Sequence, residues 1–324
     1  MCTAISISGS FHFFGRSLDL ECSYSEKIVL TPRNFKINFL HEKTNSFHYA
    51  ILGTAYLSGE SALYYDAVNE KGLAMAALNF PVSARYFPRE EGKVNIASFE
   101  LISFVLSGAA STAEARELLR GVNITGDSFS PELSATPLHW IVADKKASLI
   151  IESVEDGVKI YENPLGVLTN EPPFPFHTAR LADFSYLKSA YPENTLSPSY
   201  EIDIYSRGMG AVGLPGDYSS SSRFVRAVFL KEHTGCFSED KAGEASRFFH
   251  IMDSLTVPLG AVKTKEGKSV YTVYTSMIDT DSLIYYFSTY HSRSIKGVRL
   301  SDTPLDSDKQ KAFSMEEDGT VFYL

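Results

Sequence analysis

The chain of 324 residues is 44% hydrophobic and 21% charged, an ordinary globular composition, and is long enough to bury about 75% of the surface its unfolded form exposes. Lysine and arginine total 30 against 39 aspartate and glutamate, a net charge of −9, which excludes nucleic acid and anionic membrane as expected partners. No apolar run approaches the ~18 residues of a membrane span, and residues 1–30 hold no apolar signal core, so the sequence predicts a cytoplasmic protein.

In chain order, the N-terminal third reads as short strands. Spans 3–7 and 11–14 flank Ser8-Gly9-Ser10 in the manner of a hairpin. Further strands are predicted at 27–30, 36–40, 49–52 and 63–68. The near-continuous apolar run 73–79, after Asn69-Glu70-Lys71-Gly72, predicts a strand covered on both faces. A helical pattern occupies 96–106. A second helix opens at Ser111-Thr112-Ala113-Glu114, with the spacing of a capping box, and closes at Gly121. Strands return at 138–143 and 148–152 around Asp144-Lys145-Lys146. Helices are expected at 178–190, 223–231 and 243–255, and strands at 270–275, 283–290 and 295–300. Runs of strands alternate with pairs of helices, which disfavours a parallel βαβ array and predicts two sheets sandwiched by helices. With no internal repeat and no Gly/Ser linker, residues 1–324 are expected to form one domain.

Several signatures lead nowhere. Gly208-Met209-Gly210-Ala211-Val212-Gly213 matches G-x-G-x-x-G, but Leu214-Pro215-Gly216-Asp217 follows where a dinucleotide site needs a helix, so a loop is expected. No histidine falls in a paired-ligand spacing, and His139 beside Trp140 reads as structural. There is no G-x-S-x-G elbow. Cys2, Cys22 and Cys236 lack Cys-x-x-Cys spacing, which argues against a disulfide framework or structural zinc.

The positive signal lies at the start. Cys2 follows Met1 directly, and cysteine is small enough for the methionine to be removed, leaving a thiol and a free α-amine on one residue. Such groups ordinarily titrate within about one unit of each other, so the residue can act as nucleophile and base. Polar residues in apolar or loop contexts supply what thiol acyl transfer needs. Asp19 can orient the amine, the amides of Asn79 and Asn170 can receive an oxyanion, and Arg16 or Arg223 can favour a thiolate or bind a carboxylate.

Met1-Cys2-Thr3-Ala4, Phe14-Gly15-Arg16 with Asp19, Asn69-Glu70-Lys71-Gly72-Leu73, Leu168-Thr169-Asn170, and Leu214-Pro215-Gly216-Asp217 with Ser222-Arg223-Phe224 together resemble the cholylglycine hydrolase family, which comprises bile salt hydrolases and penicillin V acylases. The likeness runs from residue 2 to about residue 300, and 301–324 diverges. It implies an α+β N-terminal nucleophile hydrolase fold, a four-layer αββα sandwich of two antiparallel sheets between helix layers, with Met1 lost on maturation and a homotetrameric assembly. Catalytic roles are implied for Cys2 as nucleophile and base, Arg16 and Asp19 beside it, Asn79 and Asn170 around the oxyanion, and Arg223 in the charge network. The implied reaction cleaves glycine- or taurine-conjugated bile acids through a Cys2 thioester, with no metal or organic cofactor. Penicillin V acylase and a catalytically silent bile-acid-binding protein are the alternatives. Asn79 favours bile acids, because penicillin V acylases of this kind tend to carry tyrosine at the matching position. Arg16, Asn79, Leu20, Phe129 and Leu133 are the expected substrate contacts, the last three as an apolar wall. Ser17 and Leu18 depart from the family pattern, which predicts a differently shaped loop after Arg16.

Overall fold

Ser8-Gly9-Ser10 closes a hairpin of the strands Cys2–Ser8 and His12–Leu20 in the computed structural model, which describes residues 1–315. This hairpin lies within a seven-stranded sheet ordered Val167–Leu168, Cys2–Ser8, His12–Leu20, Ser269–Asp279, Ile284–Thr289 and Lys296–Arg299, with Val262–Lys263 paired to Ser269–Asp279. All its pairings are antiparallel. Gly15 serves a close approach here: a Cβ on it would lie 2.1 Å from the Ser276 carbonyl oxygen. The second sheet, of eight strands, is ordered Gly157–Glu162, Ser148–Val154, Leu138–Ala143, Ala74–Asn79, Ser61–Asn69, Ile51–Ser58, Lys27–Thr31 and Lys311–Ser314.

Strand alternation shows why the layers stack as they do. Along the run 73–79, Ala74, Ala76 and Leu78 join the core shared with the other sheet, whereas Leu73, Met75 and Ala77 join a core shared with Leu101–Gly108 and Thr112–Leu119. Ile141 against Trp140 and Val142 repeats the pattern, as does Ile150 against Leu149 and Ile151. Period-two side chains therefore need cover on both faces, and each buried aliphatic side chain contributes about 1.5–3 kcal/mol. Helices Ser220–His233 and Lys241–Asp253 cover the outer face of the first sheet, packing Phe224, Phe248 and Phe249 on it. The order is helix, sheet, sheet, helix, the expected four-layer αββα sandwich.

The structure corrects several element boundaries. Residues 36–40 form no strand; a turn from Pro32 to Phe35 diverts the chain, and Ile37 makes only an isolated bridge to Asn45. The helix expected at 178–190 is Phe174–Arg180 followed by the 3-10 turn Leu181–Phe184. Pro173 and Pro175 start it rather than forbid it, since the first turn needs no N–H from them. The pattern at 96–106 begins as the strand Val94–Ala97, parallel to Val122–Thr125, before the helix Leu101–Gly108. No loop follows Arg16: Ser17 and Leu18 lie inside His12–Leu20. Gly208 and Gly213 adopt positive φ around a 3-10 turn, and no helix opens there. Of the segment 301–324, expected to diverge, residues 316–324 lie outside the described residues.

One buried group makes the fold pH-sensitive. The His12 ring sits between Ser6 Oγ at 2.9 Å and Thr280 Oγ1 at 2.7 Å. Burial lowers its pKa from 6.5 to about 4, against the opposing pull of Asp144 and Asp281. Between those values the unfolded chain binds a proton that the folded chain refuses, so stability is complete above the unfolded pKa and declines as pH falls toward the folded one. The loss attributable to His12 should reach about 3 kcal/mol by the bottom of that window. Melting temperatures of wild type and His12→Gln between pH 7 and 4.5 should converge as pH falls; parallel curves would remove His12 from the acid response.

Candidate active site

Register places the polar residues before any side chain is considered. Cys2 pairs with Leu18 and Ala4 with Arg16, so Cys2 and Arg16 share one face of the hairpin as diagonal neighbours. On the other side Leu168 pairs with Ala4, which carries the following Thr169-Asn170 alongside Cys2. Asn170 Oδ1 accepts the Cys2 backbone N–H at 2.8 Å. The Cys2 side chain is itself buried, 2% exposed.

Arg223 binds these pieces together from the second turn of Ser220–His233, a helix capped by Ser219. It is fully buried. Nη1 donates to Cys2 O at 2.5 Å and Thr3 Oγ1 at 2.6 Å, Nη2 to Asn170 Oδ1 at 2.7 Å, and Nε to Tyr218 O at 3.0 Å. Burial pulls its pKa below the usual arginine value, opposed by the charges of Asp19 and Cys2. Beside it, hydrogen bonds from Ser219 and Ser222 hold the Asp217 carboxyl down at about 2. Ser220 Oγ accepts the Asn170 N–H at 2.7 Å and donates to Thr169 Oγ1 at 2.9 Å.

Arg16 crosses from the first sheet to the second. Its Nη1 donates to Ala77 O at 2.6 Å and Tyr65 O at 3.2 Å, its Nε to Ser17 O at 3.1 Å, and its buried Nη2 has no partner among the described residues. Burial works to lower its pKa, but Cys2, Tyr274, Asp66 and Asp19 outweigh it, and the net effect is a rise. The guanidinium is therefore held charged next to the Cys2 thiol, with one donor spare.

Asp19 is fully buried, and its carboxylate accepts from Thr272 Oγ1 at 2.7 Å and Ser17 Oγ at 3.2 Å. With Met1 in place the terminal amine donates to the Asp19 backbone carbonyl at 2.7 Å, not to its carboxylate. Asn79 ends Ala74–Asn79 on the facing sheet, and its backbone carbonyl accepts Asn170 Nδ2 at 2.8 Å. The half-buried Asn79 side-chain amide makes no hydrogen bond among the described residues. All six candidates thus gather around Cys2, Asn79 through its backbone carbonyl and Arg16 through its charge. Leu20 lies half-buried at the end of its strand, opposite Tyr271. Phe129 and Leu133 do not join: Phe129 packs edge-on against Phe99 and lines a cavity of about 110 Å³ with Ile37 and Tyr64, in which none of the six takes part. Their apolar character gave no information about which cavity they would line.

Other residues that build the site carried only a faint sequence signal. Asp66, fully buried between the sheets, accepts from Tyr274 at 2.5 Å, Tyr285 at 2.6 Å and Ser276 at 2.8 Å; a carboxylate in a strand of apolar neighbours was the one sign of it. Thr272 bridges Asp19 and the Val257 N–H. His139 is structural as expected, stacked on Phe80 at 4.3 Å and bonded to the Thr169 carbonyl at 2.9 Å.

The buried Cys2 thiol is coupled by charge to two buried guanidinium groups, and Asn170 holds its backbone N–H, an arrangement able to support acyl transfer by a thiol. Comparison with known proteins agrees at the level of family. Residues 2–313 match the profile of the linear amide C–N hydrolases, choloylglycine hydrolase family. A bile salt hydrolase/transferase from Lactiplantibacillus plantarum is 41% identical over 322 residues, 99% of each chain. The crystal structure of a conjugated bile acid hydrolase from Clostridium perfringens superposes with a TM-score of 0.91 at 31% identity, covering 100% of both chains. Penicillin V acylase from Agrobacterium tumefaciens shares the fold, with a TM-score of 0.78 at 20% identity over 100% of this chain and 94% of its own. The fold is that of the N-terminal nucleophile hydrolases. The chain belongs to the choloylglycine hydrolase family of linear amide hydrolases.

The Thr272 hydroxyl supports a fully buried carboxylate. Thr272→Val, similar in shape, should cost about 1–3 kcal/mol in chemical denaturation by leaving Asp19 and the Val257 N–H underbonded. An unchanged denaturation midpoint would show that the bridge adds nothing to stability.

Proposed function

We infer that this protein is a bile salt hydrolase, cleaving the amide of glycine- or taurine-conjugated bile acids through a thioester on Cys2. The observation that carries this reading is the convergence of Asn170 and Arg223 on the backbone of Cys2, with the spare donor of Arg16 beside its thiol. Full-length similarity to a bile salt hydrolase/transferase and a conjugated bile acid hydrolase supports the substrate class.

In the proposed mechanism Met1 is first removed, and the Cys2 nitrogen becomes an α-amine held by Asn170 Oδ1, with the Asp19 carbonyl and carboxylate nearby. That amine takes the thiol proton as sulfur attacks the amide carbonyl. The tetrahedral oxyanion receives hydrogen bonds from the free Asn79 amide, while Asn170, whose Oδ1 already accepts two bonds and whose Nδ2 donates to Asn79 O, chiefly orients the amine. Carbon–nitrogen cleavage returns the proton to the departing glycine or taurine. Water, deprotonated by the same amine, then cleaves the thioester to release the bile acid and regenerate the thiol. Arg16 offsets negative charge at sulfur and oxygen. Leu20 contributes apolar wall to the steroid pocket; Phe129 and Leu133 would do so only from the 126–137 loop that carries them.

The compact amide of Asn79, where a tyrosine ring would fill space, favours a bulky steroid over a phenoxyacetyl group. Further parts of this reading are a single domain, a cytoplasmic location and a homotetramer. Exposed Tyr186, Tyr191, Tyr200 and Tyr205, on a segment of little regular structure, offer apolar surface for such an assembly. Among the described residues, no helix is long and apolar enough to cross a membrane.

Purified active enzyme should begin at Cys2 by intact mass, and Cys2→Ala should abolish turnover while keeping the wild-type melting temperature. Full activity with Met1 retained would refute the base assignment. Across substrates, kcat/KM for glycocholate or taurocholate should exceed that for penicillin V by at least about tenfold, roughly 1.4 kcal/mol of transition-state discrimination. Equal efficiency on penicillin V would make the protein an acylase of that class, and bile-acid binding without amine release would make it a silent binder.

A further inference from the structure

Asn79 and the Cys2 cluster sit on different sheets, so something must fix the distance between them. The strand Ala74–Asn79 runs into the turn Pro81-Val82-Ser83, and the strand Val167–Leu168 runs into Asn170-Glu171. Two ties join these ends. The Asn170 amide donates to Asn79 O at 2.8 Å. Next to it, the Glu171 carboxylate accepts three hydrogen bonds from the opposite turn: Val82 N–H at 2.8 Å and Ser83 N–H at 2.7 Å on Oε1, and Ser83 Oγ at 2.8 Å on Oε2.

A carboxylate is an odd choice beside a site that must develop negative charge, unless its own charge is consumed locally. Here it is, because two backbone amides and a hydroxyl converge on it, and bonds to an ionised acceptor are about twice as strong as neutral ones. Phe80 anchors the near side of the turn, fully buried and bonded to Pro137 O, but Val82 at the tip is 70% exposed, and there the carboxylate supplies the attachment. The Asn79 side chain, three residues before Val82, makes no hydrogen bond among the described residues and takes its position from the backbone that carries it.

We propose that Glu171, with Ser83, is a positioning residue that holds the Asn79 amide at its working distance from Cys2 by clamping the turn of one sheet to the strand end of the other. This rests on the oxyanion role of Asn79 proposed above. A donor moved by a fraction of an ångström keeps its ground-state contacts but loses much of its value to a developing oxyanion, so the effect falls on kcat rather than KM.

The test is a double-mutant cycle with Glu171→Gln, Ser83→Ala and Asn79→Ala, measured on glycocholate with melting temperatures recorded alongside. Glu171→Gln should lower kcat about tenfold with KM changed less than about twofold, and Ser83→Ala should lower it about two- to threefold. In the Asn79→Ala background each should cost less than about twofold further, because there is no longer a donor to position. A purely structural clamp would give the same loss in both backgrounds, and that result, or wild-type kcat in Glu171→Gln, would overturn the proposal. Should Glu171→Gln fail to fold, Ser83→Ala decides through the same cycle. If Asn79→Ala alone keeps wild-type kcat, the oxyanion assignment itself fails and the positioning role fails with it, a pattern distinct from additive losses.

Discussion

A guanidinium removed from water must find acceptors for its protons inside the protein, and the surroundings of Cys2 are arranged around meeting that demand for Arg223. Its four acceptors come from three separate places: Cys2 and Thr3 in the first strand, Asn170 after the strand Val167–Leu168, and Tyr218 ahead of the helix it belongs to. Leaving one of these buried donors without its neutral acceptor costs about 1–3 kcal/mol. The chain ends that meet at Cys2 are held there by this requirement as much as by sheet pairing. That is why an arginine opening a helix, which on a solvated face would be unremarkable, is among the largest fully buried side chains of the protein.

The same physics sets the price of the layer between the sheets. Aliphatic and aromatic side chains fill most of it, yet Arg16 and Asp66 carry charge into its middle. Burial raises the Asp66 pKa, while Arg16 and the hydroxyls of Tyr274, Tyr285 and Ser276 oppose the rise. Tyr274 and Tyr285 reach Asp66 from the opposite sheet, so the polar seam fixes the register of the two sheets where apolar packing alone would tolerate sliding. Ser276 also accepts the Arg16 backbone N–H at 3.2 Å, linking the seam to the strand that holds Arg16.

Two asparagines with the same side chain end in different situations. Asn170 is 7% exposed, and its oxygen accepts from both Cys2 and Arg223 while its nitrogen donates to Asn79 O. Asn79 lends its backbone to that contact and keeps its amide unbound among the described residues. Such a division suits a site in which one group must hold the nucleophile still and another must await charge that does not yet exist. The proposed clamp by Glu171 belongs to the same scheme, since an unbound side chain is only as well placed as its backbone.

Much of this was legible before any coordinates. Period-two patterns, turn residues and the capping spacing at Ser111 located the main strands and helices, because these signals arise from neighbours a few residues apart. Cys2 stood out because it directly follows Met1, and Arg16, Asp19, Asn79, Asn170 and Arg223 because each is polar in an apolar or loop context. Residues 36–40 misled because alternation records which side chains would face a core, not whether a partner strand is present. The helix expected from 178 begins at Phe174, because a first turn accommodates proline that a helix interior would not. Asp66 and Thr272 were obscure because their partners lie more than 200 residues away, and Phe129 because apolarity does not say which cavity it lines. The sequence by itself determined the αββα order and the chemical types available to a thiol site, since both follow from local pattern and residue identity. Only the tertiary structure decided which amide is spent and which is free, and which carboxylates support the cluster, because hydrogen bonds between distant segments depend on the register of two sheets that no local signal encodes.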